Sequence, residues 1–308
     1  MPESDALFEL TPAAEDVSAG LPLVVGLTGF ADAGSAVAQV TEHLLESISH
    51  SPVARFQNDL LLDYRARRPL VSFERDHLTG YVPPRLELSL AEDDMHRPFL
   101  LLSGYEPDFA WEAFVSAVVG LIDRFEVSAV TWVHAIPMPV PHTRPIGVTV
   151  SGNRSELIES MSVWRPHTQV AANVLHALEY RLAERGSDVT GFALLVPHYL
   201  ADTEYPDAAI AALDSIAAAT GLLLPSDELR GAGRDFVSRI DEQVAGNEEL
   251  GRLVTTLEQR YDAYMEGTSL RSPLTDEDGE LPSADDIADE LEKFLAGRRP
   301  GDEGQDSL

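Results

Sequence analysis

Residues 21–40 read LPLVVGLTGFADAGSAVAQV: an apolar run, a glycine-bounded loop and the start of a periodic segment. A short apolar run closed by turn residues reads as a buried strand. After it, Val37, Val40, Leu44 and Ile48 recur at spacings of three and four, which places them on one face of a helix. Between the two, Gly29 to Ser35 spells G-x-x-x-x-G-S, the outline of a phosphate-binding loop without its lysine. Backbone N–H groups and a helix N-terminus at such a loop can hold an anion. Here no lysine reaches toward the outer phosphates and Asp32 adds a negative charge, so nucleotide binding is not expected. Gly29 and Gly34 are expected to make a tight turn, with Asp32 or Ser35 capping the helix; a non-nucleotide ligand or an interface is the other reading of this loop.

Working outward, the strand-then-helix pattern repeats. PFLLLSG is a second buried strand followed by a helix from Trp111 to Phe125, and VSAVTWVHAIP is a third, with IGVTVSG beside it. The spacing of Val170, Val174, Leu178 and Leu182 predicts a helix from about Thr168 to Glu184, closed by Gly186. VTGFALLVPHY and an Ala-rich helix from Pro206 to Thr220 complete the series. Strands alternating with helices imply a largely parallel sheet covered on both faces. Between the first two units, VARFQNDLLLDY, PLVSFER and RLELSL read as strands too close together for helical crossovers, hence an antiparallel excursion.

The composition changes after Pro225. Leu229, Phe236, Ile240 and Val244 mark one helix, Leu250, Leu253, Leu257, Tyr261 and Tyr264 another, with AGN turning between them. The expected organisation is a flexible N-terminus over 1–18, an α/β domain over 19–225, a helical hairpin over 226–266 and an acidic mobile tail over 267–308. In the tail, Ile287, Leu291, Phe294 and Leu295 form a stripe on a short acidic helix that can dock on a partner. Tyr261, Tyr264 and Met265 suit an interface core, so a homo-oligomer is expected.

Composition narrows the function. The chain has no cysteine, which removes thiolate catalysis and thiolate metal sites, and Lys293 is its one lysine, so no Schiff-base lysine is available in the α/β body. A formal charge of −30 argues against nucleic acid, which demands clustered basic residues, and favours a basic protein partner. Apolar runs stay short of the roughly 18 residues a membrane helix needs, and the acidic first ten residues are unlike a signal peptide. These features predict a cytoplasmic protein without cofactor, metal or membrane contact.

Candidate chemistry collects where strands end, since sites in parallel α/β sheets lie beyond the carboxyl ends of strands. PVPHTRP (139–145) and LVPHYLA (195–201) put His142, Arg144 and His198 there, and SGYEPDFAW adds Glu106 and Asp108. With Asp32, these residues form a candidate acid/base rim in which Arg144 holds an anion. The competing reading is structural: X-Pro-His turns, with Asp108 as the cap of the helix beginning at Trp111. His134, inside a strand, reads as a core residue. There is no H-E-x-x-H and no G-x-S-x-G.

Four ordered pieces carry a resemblance: GLTGFADAGSA, GYEPDFAWEAF, AIPMPVPHTRP (in which Ala135 replaces the usual first glycine) and LLVPHYLADTEYPDAA. Together they resemble the actinobacterial branch of the proteasome assembly chaperone 2 family, from about Leu21 to the helical hairpin. The resemblance implies a three-layer α/β/α sandwich with a mostly parallel sheet, related to nucleoside phosphorylase and hydrolase folds, with a helical C-terminal extension and an oligomeric state. It implies a non-enzymatic protein-binding role, because eukaryotic relatives hold proteasome α-subunits during ring assembly, and it carries over no catalytic residue. Related chaperones dock through a hydrophobic-Tyr-X tail, whereas this sequence ends EGQDSL. The alternative, resting on the strand-end cluster and fold analogy, is a nucleoside phosphorylase- or hydrolase-type enzyme.

Overall fold

The computed structural model describes residues 6–29, 31–165 and 167–267. In chain order the elements are β1 (Phe8–Leu10), β2 (Leu23–Thr28), α1 (Ala36–Ser47), β3 (His50–Phe56), α2 (Asn58–Leu61), β4 (Leu70–Glu74), β5 (His77–Val82), β6 (Leu86–Glu92), β7 (Pro98–Tyr105) and α3 (Trp111–Arg124). There follow β8 (Val130–Met138), β9 (Val148–Gly152), α4 (Ser155–Met161), α5 (Val174–Glu184), β10 (Val189–Pro197), α6 (Pro206–Thr220), α7 (Asp227–Gly246) and α8 (Glu248–Gly267).

Eight strands form one sheet in the order β1-β3-β6-β7-β2-β8-β10-β9. The central four, β7, β2, β8 and β10, are parallel. The strands outside them pair antiparallel with their neighbours. Side chains of a strand alternate between faces, and β2 shows it: Leu23 and Val25 join one core with α3 and α5, while Val24 joins the other with α1 and α6. The architecture is therefore the three-layer α/β sandwich, parallel at its centre. The β3–β6 excursion is antiparallel, and β4 and β5 pair only with each other.

The structure adds detail that the sequence reading lacks. Leu7 is fully buried, and Phe8–Leu10 pairs with β3 while the Phe8 ring lies 5.7 Å from that of Phe56. Helix α5 starts at Val174 rather than Thr168: the Asn173 side chain accepts from His176 N at 2.9 Å and the His176 ring accepts from Asn173 N at 3.0 Å. This reciprocal cap fixes the helix start, leaving Val170 exposed ahead of it. Finally, α4 and β5 are additional elements. Of the two C-terminal helices, α7 packs onto α6 through Leu229, Phe236 and Ile240, with the Phe236 ring 5.3 Å from that of Tyr205.

Candidate functional site

The phosphate-loop outline holds an anion, but the chain supplies it. Gly34 turns the backbone at φ +69°, a left-handed conformation that suits glycine. Its N–H donates to the Ala201 carbonyl at 2.7 Å and its carbonyl accepts from Tyr205 N at 2.9 Å, stitching the loop to the segment after β10. The Asp32 carboxylate then accepts from Val37 N at 2.8 Å and Ala38 N at 3.0 Å. These are the donors a bound phosphate would use. Burial raises the Asp32 pKa, against the lowering effect of the N–H groups of Val37, Ala38 and Ala36. Ser35 is left-handed at φ 50°, its N–H bonded to the Asp32 carbonyl at 2.9 Å.

Gly29 serves a close approach. A Cβ there would stand 2.7 Å from the Cβ of Glu106, a buried residue whose carboxylate accepts from Val174 N at 2.7 Å, the first turn of α5. The Glu106 N–H bonds to Thr28 O at 2.7 Å and its carbonyl accepts from Arg67 at 2.6 Å. Asp108 accepts from Asp63 N at 2.7 Å and pairs with Arg67 at 3.2 Å. It does not cap α3, because Ala110, at φ 57°, intervenes as the residue preceding that helix.

The other half of the rim faces elsewhere. The Tyr199 hydroxyl accepts from His142 N and meets its Nδ1, both at 2.7 Å. If the hydroxyl donates to Nδ1, the Nε2–H is left to donate to Asp241 on α7, at 3.2 Å. Arg144 forks onto Asp262 of α8, at 2.8 and 2.6 Å, and reaches Glu258 at 3.3 Å. Thr143 donates to the same Glu258 at 2.5 Å. The V-P-H-T-R-P segment is thus a latch that clamps both C-terminal helices. His198 stacks edgewise on Tyr199 at 5.5 Å.

The predicted rim therefore divides. Gly29, Glu106, His134 and Asn173 line a cavity of about 10 Å³, and His142, Arg144 and His198 do not line it. That is room for about one water. Its His134 is held down to about 4 by burial and by His176. A larger concavity of about 630 Å³ lies between α6 and α7, lined by Asp207, Arg230, Gly233 and Arg234 among others, and shares no residue with the rim. An enzyme acting on nucleosides needs its acid, base and anion holder around one pocket of a few hundred Å³; among the described residues the predicted rim does not converge on one. The residues the sequence reading missed are the latch partners Tyr199, Asp241, Glu258 and Asp262. Their signal was present: Glu258 and Asp262 stand four apart on one helix face. Tyr261 packs beside Met138, Val140 and Leu195, and the Tyr264 hydroxyl donates to Val163 O at 2.8 Å, so these tyrosines face the body. The candidate partner helix of Ile287, Leu291, Phe294 and Leu295 lies outside the described residues. Among the described residues no helix is long and apolar enough to cross a membrane.

The PAC2 family model matches residues 26–244. A Mycobacterium tuberculosis protein of unknown function is 41% identical, with a TM-score of 0.80 over 86% of this chain and 92% of that one. A Corynebacterium glutamicum protein of unknown function is 37% identical, with a TM-score of 0.81 over 84% of this chain and 98% of that one. A proteasome-assembly chaperone homologue from M. tuberculosis shares the fold at 22% identity and a TM-score of 0.68, over 76% of this chain and 100% of that one. No curated protein matches the sequence.

Proposed function

From the premise that this chain belongs to the PAC2 family, we propose that it is a non-enzymatic protein-binding factor of the proteasome-assembly-chaperone type, with proteasome subunits as its partners in the cytoplasm. The observation that carries this reading is the fate of the strand-end residues. Asp32 and Glu106 cap helices, Asp108 holds the segment after α2, and His142 and Arg144 clamp α7 and α8. Each of these five side chains makes a contact within the fold. A chain of formal charge −30 also steers toward a basic partner surface.

The test mixes the purified chain with proteasome α-subunits of its own host and follows complex formation by analytical ultracentrifugation, beside affinity capture from that host with quantitative mass spectrometry. A co-sedimenting complex that weakens with salt, together with enrichment of proteasome subunits, is the expected result. Neither complex nor enrichment, with both proteins folded, overturns the reading.

A further inference from the structure

The reciprocal cap that starts α5 has a titratable member. In a capping box the third helical residue reaches back to the N–H of the cap, ordinarily with a glutamate or glutamine oxygen. Here His176 does so with Nδ1, which accepts from Asn173 N at 3.0 Å. A ring nitrogen accepts a hydrogen bond only while it carries no proton, so the box requires a neutral His176 in its Nε2–H form. The ring stands edge-on to two others, 5.2 Å from Trp132 and 5.4 Å from His134. Protonating Nδ1 sets two donors face to face and removes the acceptor of Asn173 N. Glu106 accepts from the next N–H, that of Val174, at 2.7 Å. Both free donors at this helix start therefore rest on groups that titrate.

Few charges face this helix start. Of the strands beneath α5, β9 and β10 carry no titratable side chain, and β8 carries His134 alone. From α3, Glu112 and Asp123 are paired with Arg181 and Arg185 of α5. Glu179, one turn along α5, accepts from Trp132 Nε1 and from the Ser151 hydroxyl, both at 2.8 Å. Burial lowers the His176 pKa from the ordinary histidine value, and Glu106 draws it part of the way back. Ahead of the cap, residues 167–172, which include His167, are exposed and make no hydrogen bond among the described residues. Asn173 is thus where that segment is held, and with Glu106 and His134 it lines the small cavity beyond β2 and β8. We propose that the start of α5 is an acid-released clasp: neutral His176 holds Asn173 and the segment before it against the Glu106–His134 cavity, and protonated His176 lets them go. The folded pKa lies below the unfolded one, so the contribution of the clasp is complete above about pH 6.5 and disappears as pH falls through the folded value. The proposal is independent of the proteasome reading, since it concerns the chain alone.

His176→Gln tests it, because a glutamine oxygen completes the same box at every pH. Hydrogen exchange with mass spectrometry compares the full-length variant and wild type at equal pH, from about 7.5 down to about 4.5, a range that spans the ordinary histidine value. Amides of residues 173–178 should be protected alike at the upper end. At the lower end those of the wild type should exchange about fivefold faster than those of the variant, the size of a lost cap. Nitrogen-15 spectra of the imidazole rings give a second reading: the His176 ring, assigned by its absence from the variant, should be the Nε2–H tautomer at the upper end. Equal exchange of the two chains at the lower end, or an Nδ1–H ring at the upper end, overturns the proposal. Should His176→Gln misfold, the wild type decides alone. Its protection over 173–178, corrected for intrinsic rates, should fall about fivefold across the range while β2 and β8 keep theirs; no fall, or a fall in all three together, overturns the proposal.

Discussion

The α7–α8 hairpin and the β4–β5 arm are both additions to the sandwich, and they dispose of their side chains in opposite ways. The helices turn inward: Phe236 onto Tyr205, Tyr261 toward Met138, and Asp241, Glu258 and Asp262 onto the latch. The arm turns its leucines, phenylalanine and valine outward. A helix pair with apolar stripes looks adhesive in a sequence, yet Phe236, Tyr261 and Tyr264 are spent within the chain, while Met265 stays exposed. The short hairpin looks incidental, yet Leu70, Phe73, Leu78 and Val82 have no cover among the described residues of its own chain. Surface meant for a partner is recognised by what it leaves unsatisfied, and a stripe alone does not reveal that.

Removing residues 227–308 should have the largest effect. It uncovers the α6 face that Leu229, Phe236 and Ile240 cover. At about 1.5–3 kcal/mol for a fully buried side chain, and allowing for their partial burial, the loss is roughly 3–6 kcal/mol. Differential scanning calorimetry should show a fall of roughly 10 °C or more, or an aggregated product. A truncated chain that melts normally would make the helices a loose appendage and dissolve the contrast with the arm.

Tyr199→Phe comes next. It removes the hydroxyl that accepts from the His142 backbone and meets its ring, leaving a buried donor unpaired at about 1–3 kcal/mol. Chemical denaturation should register this loss, and amide exchange should quicken in α7, which His142 holds through Asp241.

A smaller effect sharpens the contrast through pH. Asp93 sits at the root of the connection leading to α7, where burial would raise its pKa, but the N–H groups of Leu223, Arg97 and Met95 and the Arg97 guanidinium bring it down to about 2. The folded pKa lies below the unfolded value, so the stabilisation is complete above about pH 4 and disappears as pH falls toward 2. It amounts to about 1–2 kcal/mol, discounted because Arg97 is half exposed. Denaturation curves of Asp93→Asn and wild type should converge over that window; curves that stay parallel to pH 2 contradict the assignment. Least of all, Phe73→Ser, at an exposed side chain, should shift the stability of the chain by no more than about 0.5 kcal/mol in chemical denaturation.

The layered fold was legible because buried parallel strands and amphipathic helices carry different periods. LPLVV, PFLLLSG and the Val37–Leu44 stripe announce themselves locally. The short β5 was not legible, since His77, Thr79 and Gly80 dilute its apolar content, and the start of α5 was not, because the Asn173–His176 cap outweighs the periodicity that Val170 extends. The rim was legible only as topology. Strand ends lie at one edge of a sheet whatever their side chains do, but convergence depends on direction, and direction here is fixed by partners distant in sequence: Val174 for Glu106, Asp241 for His142, Asp262 for Arg144. The Asp32 charge in the phosphate-loop outline was the informative exception, because a residue within the loop itself fills the helix N-terminus.

Hydrogen exchange followed by mass spectrometry on the full chain tests the contrast most directly. Amides of residues 70–82 should exchange quickly, while those of 227–260, held by the latch, stay protected. A protected arm beside helices that exchange quickly would contradict the account.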